Sequence, residues 1–146
     1  MKNILQGLKN LIAWVPVIWQ DGDFDYVFLL RILKFKLERM LPVIENGYNV
    51  DAYKTAHKMR IAIRLLDRQI DGTWYHNNAF LFHRKKYGES MHIIQNRAFR
   101  TIYLTANPEQ AEKEAHKLIW HSKIHEDQDW QFLMDWLKKY LRNWWD

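Results

Sequence analysis

The sequence predicts an all-α protein, a compact bundle of four to six helices that forms a single domain over residues 1–146. Three observations support this fold class. Of the 146 residues, 48% are hydrophobic, which suffices to bury one core. Only five Gly and three Pro interrupt the chain. Four segments repeat apolar residues at steps of three and four, the period of an amphipathic helix.

The predicted helices follow from these apolar stripes and from the residues that stop them. The first covers residues 3–15 and is expected to end at Pro16; core packing of its apolar face is favoured over an interfacial role on a membrane. The second runs from about Phe24 to Glu45, and the third from Ala52 to Ile70. The last begins at Pro108 and extends toward Trp144, as one helix or as two.

Residues 73–106 form an irregular or mixed segment in this prediction. Residues 73–78 are expected to be a loop and residues 83–88 an exposed turn, because polar and aromatic residues mix there without an evident period. Residues 79–82 fit either a short strand or a buried anchor. Residues 91–104 fit either a helix or a strand, and a helix is favoured because a long structureless loop is uncommon in a compact domain.

The positive charge is unevenly distributed along the chain. Net charge is +5 overall, and it divides into +1 for residues 1–50, +6 for residues 51–100 and −2 for residues 101–146. A basic zone of this kind indicates either an anionic partner or a solvated surface, and both interpretations remain open.

The candidate ligand site lies in this basic zone, where cations interleave with aromatic residues. Arginine and lysine neutralise phosphates, and aromatic rings stack on bases. The alternative is that the aromatic residues belong to the core and the cations only solubilise a turn. The predicted ligand-binding residues are Arg60, Arg64, Trp74, Tyr75, His76, Arg84, Lys85, Lys86, Arg97 and Arg100.

Enzyme motifs are missing from the sequence. There is no cysteine, no glycine-rich phosphate loop and no motif of a serine hydrolase or zinc protease. One helical face would present Glu114, His121 and His125, and a metal-dependent hydrolase would need a further ligand such as His57 or His92. Nothing in the sequence establishes that convergence. We therefore expect no bound metal and no cofactor, and a non-enzymatic role is favoured.

Spaced anchors along the chain give it a resemblance to a known group. Residues 19–25 read Trp-Gln-Asp-Gly-Asp-Phe-Asp, residues 34–40 read Lys-Phe-Lys-Leu-Glu-Arg-Met, and residues 144–146 read Trp-Trp-Asp. In these features the chain resembles uncharacterised small accessory proteins of tailed bacteriophages. The resemblance implies expression in the cytoplasm of an infected bacterium and a role in host takeover or in blocking defence. It carries over no functional residues.

The expected function is capture of a phosphate-bearing ligand, either a nucleotide signal or a nucleic acid. A protein–protein inhibitor or adaptor that binds a host factor through tryptophan-rich surfaces is the first alternative, and the metal-dependent hydrolase is the second. Self-association through an exposed tryptophan of the C-terminal pair also fits the sequence. No membrane partner is expected, because the longest apolar stretch, residues 11–19, is far shorter than the roughly 20 residues of a membrane span.

Overall fold

A computed structural model describes residues 2–19, 26–47, 51–88, 90–95 and 98–144. The predicted all-α class is confirmed, since five α-helices form the protein and a single two-stranded hairpin accompanies them in the described residues. The elements are α1 (Lys2–Ile18), α2 (Tyr26–Glu45), α3 (Ala52–Ile70), α4 (Trp74–Tyr87), β1 (Ser90–Gln95), β2 (Ala98–Tyr103), α5 (Pro108–Tyr140) and a 3₁₀ turn (Arg142–Trp144).

The chain divides into two compact units. The first unit comprises residues 1–70 and 133–146, and the second unit comprises residues 71–132. Helix α5 runs without a break through residues 125–127, so the version of the prediction with one C-terminal helix is correct. The single-domain organisation of the chain stays a prediction.

Helices α2 and α3 pack together in the first unit and carry much of its core. Leu37, Met59 and Leu66 are completely buried, as the apolar stripes predict. A salt bridge of 2.6 Å joins Lys34 of α2 to Asp67 of α3. The bounds of α3 are those predicted from the sequence.

The end of α5 also contributes to the first unit. Leu133 and Leu137 are buried. The indole Nε1 of Trp136 donates a hydrogen bond of 3.0 Å to the carbonyl oxygen of Lys58 on α3. The ammonium of Lys58 in turn lies 4.6 Å from the ring centre of Tyr140, a cation–π contact. These contacts hold the last turns of α5 against α3.

Helix α1 differs from the prediction in two respects. It does not stop at Pro16, because the backbone N–H of Trp19 still bonds to the carbonyl of Val15 at 2.9 Å and the helix continues to Ile18. Proline removes its own helical hydrogen bond and crowds the carbonyl one turn earlier, but the N–H groups after it keep their helical acceptors here. The predicted core packing is also wrong, since the apolar positions are exposed: Ile4, Leu8, Leu11, Ile12 and Val15.

Helix α4 occupies the region predicted as a loop, as a short strand or buried anchor, and as an exposed turn. The loop, the strand and the turn are wrong, whereas Phe80 is buried as the anchor alternative expects. The helix begins at Trp74, after Asp71 accepts hydrogen bonds from the backbone N–H and the hydroxyl of Thr73 at 3.1 and 2.9 Å. It ends at Gly88, whose φ of 78° lies in the left-handed region and whose N–H bonds to the carbonyl of Arg84.

Strands β1 and β2 replace the helix that the sequence analysis favoured for residues 91–104. They pair antiparallel from Ser90 opposite Tyr103 to Gln95 opposite Ala98. Such a register leaves two residues, 96 and 97, to connect the strands, and both lie outside the described residues. The β-branched residues near the middle of each strand favour this geometry, but a segment of six residues is too short for its apolar period to separate strand from helix.

Burial differences between two leucines of the first unit predict different effects on stability. Leu66 is completely buried whereas Leu29 is 67% exposed. Leu66→Ala should lower the free energy of unfolding by about 2–5 kcal/mol, through lost transfer energy and the cavity that remains. Leu29→Ala should change it by less than about 0.5 kcal/mol. Urea unfolding followed by circular dichroism measures both, and equal effects would contradict this description of the core.

Candidate functional site

The predicted aromatic residues of α4 are used for packing within the second unit. Tyr75 is buried, and its hydroxyl donates a hydrogen bond of 2.9 Å to Oδ2 of Asp129. Trp74 is half-buried and meets the Tyr75 ring edge-on at 4.9 Å. His76 is exposed and stacks on Phe80 at 4.3 Å. All three predicted stacking residues therefore already contact other side chains of the protein, and His76 is the exposed one among them.

Three predicted cations lie in the last turn of α4, where positive charge stabilises the helix C-terminus. Arg84 donates a hydrogen bond of 3.1 Å to the side chain of Asn77. Lys86 binds both carboxylate oxygens of Glu114, at 2.9 and 3.0 Å, and holds the pKa of that carboxyl below its usual value. Lys85 lies 5.8 Å from the ring centre of Phe82. Each of these three cations thus already has a contact within the protein.

The remaining predicted site residues belong to different parts of the chain. Arg60 and Arg64 lie on α3 in the first unit, where Arg60 forms a salt bridge with Glu45 and Arg64 is exposed. Arg100 is in β2, and Arg97 lies outside the described residues. The ten predicted residues are therefore not gathered within one unit.

The positive excess lies in the first unit when the charged residues are grouped by unit rather than by chain segment. The first unit holds fourteen Lys and Arg against nine Asp and Glu, whereas the second unit holds eight of each. Five of the ten cations in residues 51–100 lie on α3 and so belong to the first unit. An anionic ligand is thus attracted mainly to the first unit.

A pocket of about 650 Å³ opens in that first unit, between α1, α2 and the 3₁₀ turn. Its volume lies within the range of about 300–1,000 Å³ that is typical of small-molecule sites. The described residues that line it combine cations and aromatic rings without any carboxylate: Asn10, Trp14, Lys36, Arg39, Met40, Val43, Ile44 and Trp144.

Arg39 is the best-positioned polar group of this pocket. Its Nη2 donates a hydrogen bond of 2.9 Å to Oδ1 of Asn10 on α1. Its guanidinium carbon lies 5.8 Å from the centre of the Phe35 ring, and that ring meets Trp14 edge-on at 4.7 Å. These contacts restrict the side chain but leave other guanidinium N–H groups for a ligand.

Lys36 supplies a second charge one turn earlier on the same face of α2. Its side chain is exposed, and it forms no ion pair with any residue in the described part of the chain. Neither Lys36 nor Arg39 is therefore neutralised by a carboxylate of the described residues.

Trp144 is the residue of the 3₁₀ turn that lines the pocket. Its side chain is 5% exposed, and its indole Nε1 has no hydrogen-bond partner in the described structure. A buried donor without an acceptor costs about 1–3 kcal/mol and is rare in proteins. Unsatisfied donors of this kind often mark positions where a ligand or a water completes the site.

The second unit has a smaller cleft, of about 400 Å³, between α4 and α5. Its lining includes Lys86 and Lys117, together with Glu114, and the carboxylate of Glu114 already neutralises Lys86. His83 is buried there and its Nε2 lies 2.9 Å from the carbonyl oxygen of Ala111, a hydrogen bond within the core. This cleft therefore offers an anion less than the first-unit pocket does.

Among the described residues, no three His, Asp or Glu side chains are placed together to hold a metal ion. The candidate ligands Glu114, His121 and His125 are therefore not part of any such group among the described residues. None of the described helices is long and apolar enough to cross a membrane.

Comparisons with known proteins add no relative. No protein-family model matches the chain, and neither a curated protein nor a solved structure is significantly similar to it. The resemblance to phage proteins thus stays a prediction.

The buried hydroxyl of Tyr75 allows the structural role of this ring to be tested. Tyr75→Phe keeps the ring but removes the hydrogen bond to the Asp129 carboxylate, and it should lower the free energy of unfolding by about 1–2 kcal/mol. Tyr53 is 78% exposed, so Tyr53→Phe serves as the control with no expected change. Chemical denaturation measures both variants. An unchanged stability for Tyr75→Phe would contradict the structural role of this hydrogen bond.

Proposed function

We propose that the protein binds a small phosphate-bearing molecule of the nucleotide class in the pocket of the first unit, without catalysing a reaction on it. One observation carries the proposal: among the described residues, the lining pairs two cations with two indole rings and contains no carboxylate. The sequence-based expectation of a phosphate ligand is kept, while its site moves from the end of α4 to α2.

The chemistry of the lining suits the two parts of a nucleotide. Arg39 and Lys36 provide charge-assisted hydrogen bonds for a phosphate, and a guanidinium matches the geometry of two phosphate oxygens. The half-buried ring of Trp14 provides a flat apolar surface on which a base can stack, and the buried Trp144 adds apolar surface and an indole N–H without a partner in the described structure. A volume of about 650 Å³ suits one small molecule, so a nucleotide is favoured over a nucleic-acid strand.

The same lining argues for binding rather than catalysis. Among the described residues, its ionisable side chains are Lys36 and Arg39, and none of them is a histidine, carboxylate or hydroxyl group that would act as a general base or as a nucleophile. Capture of a nucleotide signal without turnover agrees with the accessory role in host takeover or anti-defence that the phage resemblance suggests.

Calorimetric titration with nucleotides, cyclic dinucleotides and orthophosphate tests the proposal. Arg39→Ala and Lys36→Ala should each weaken binding about tenfold or more, because a hydrogen bond to a charged group contributes about 1.5–3 kcal/mol. They should also reduce the salt dependence of the affinity. Arg31 is exposed on the same helix and does not line the pocket, so Arg31→Ala is the matched control and should bind as the unchanged protein does.

The same titration decides between this pocket and the site predicted from the sequence. Replacing Arg84, Lys85 and Lys86 together with Ala should leave the affinity unchanged. A loss of binding in that triple variant, with Arg39→Ala unaffected, would return the site to α4. If no ligand binds more tightly than millimolar, the adaptor hypothesis takes first place, and the exposed rings of Phe82 and Trp120 are its first candidates for mutation.

A further inference from the structure

Helix α1 exposes a continuous apolar face. At about 100° per residue, its exposed large apolar side chains fall within an arc of about 140° that contains no polar residue. All of them are between 44% and 85% exposed, Trp19 just beyond the helix being the most exposed: Ile4, Leu5, Leu8, Leu11, Ile12, Val15, Ile18 and Trp19. Eight neighbouring exposed apolar side chains far exceed the scattered ones that a monomer normally shows.

The opposite side of α1 is the one that meets the protein. The partly buried residues of the helix are Asn10, Ala13, Trp14 and Val17, and Asn10 and Trp14 line the pocket described above. The helix therefore turns a side containing an amide inward and its fully apolar side outward. Apolar surface left in water is unfavourable by about 25 cal/mol per Å², so a partner that covers this face is strongly favoured.

Charge identifies the kind of partner. Residues 2–19 contain two lysines and no acidic residue, and the first unit carries a net charge of +5. An anionic surface is attracted to such a unit, whereas a second copy of the chain is repelled by it.

The absence of polar groups within the arc favours lipid over protein. A protein interface forms about one hydrogen bond per 100–200 Å², but within α1 this face has no side chain that would donate or accept one, and only Trp19, just beyond the helix, adds an indole N–H. Acyl chains require none. The exposed Trp19 at the end of the helix agrees with the enrichment of tryptophan at the level of lipid headgroups.

We propose that α1 lies in the plane of an anionic lipid surface, with its apolar face at the boundary between headgroups and acyl chains. This replaces the sequence-based expectation that the protein has no membrane partner. The helix does not span the bilayer in this arrangement, which agrees with the hydropathy of the described helices. The proposal is independent of the nucleotide pocket, because the pocket is lined by the other side of α1.

Co-sedimentation of the full chain with vesicles tests the proposal. We expect binding to vesicles of equal parts phosphatidylcholine and phosphatidylglycerol, and much weaker binding to phosphatidylcholine alone. Replacing Leu8 and Ile12 together with Asn should reduce the partition coefficient about tenfold or more, given the apolar area that each side chain buries. Leu8→Met with Ile12→Leu keeps the face apolar and should retain binding.

Leu29→Asn provides the matched control. Leu29 is 67% exposed on α2, in the same unit, and its replacement should leave vesicle binding unchanged. The proposal is overturned if the unchanged protein does not sediment with anionic vesicles, or if Leu29→Asn reduces binding as much as the α1 variant does. Sedimentation velocity without lipid tests whether a second copy of the chain covers the face instead. A dimer that dissociates when Leu8 and Ile12 are both replaced with Asn would show this and overturn the proposal.

Discussion

Helix α2 packs against α3 with one side and lines the pocket beside α1 with another, and this constraint underlies the arrangement of the first unit. Leu30 and Leu37 are its buried residues, and α3 is the helix with which it packs most extensively. Lys36 and Arg39 lie about 100° or more around the helix from that buried side. Because the core fixes the rotation of α2, it also fixes the direction in which the two cations face, and they line the pocket beside α1.

Arg39 connects this core to α1. Its hydrogen bond to Asn10 and its contact with Phe35 give α1 a specific polar attachment, while the large apolar residues of α1 remain on the outside. Burial of apolar residues normally orients an amphipathic helix. Here a charge-assisted hydrogen bond and a few half-buried residues hold α1 instead, which leaves the apolar face available to a second partner. A single helix thus contributes to two proposed sites, one on each side.

Helical periodicity predicted the long elements, because the stripes of α2, α3 and α5 extend over many turns. It failed for β1 and β2, whose short strands are stabilised by pairing with each other rather than by a local pattern. Helix α4 was missed although His76, Phe80, His83 and Tyr87 follow steps of four, three and four; their rings contact one another in sequence order along the helix. That spacing was the available signal.

The candidate site escaped sequence reasoning for a different reason. Charge was summed along the chain, whereas the field around a folded protein depends on which residues share a unit. Asn10, Arg39 and Trp144 are far apart in sequence, and none has a spacing that marks a ligand site. Only the pair Lys36 and Arg39, three residues apart on one helix, was visible as a local pattern.

Binding of a phosphate-bearing ligand in the first-unit pocket is the central claim, and the tryptophan side chains report on it directly. The chain has eight tryptophans, and each indole N–H gives its own signal in a ¹H–¹⁵N correlation spectrum. Titration with the tightest-binding nucleotide should shift the indole signals of Trp14 and Trp144 most, and hydrogen bonding to the free Nε1 of Trp144 should move its proton downfield. Shifts confined to Trp74 and Trp120, in the second unit, would contradict the account.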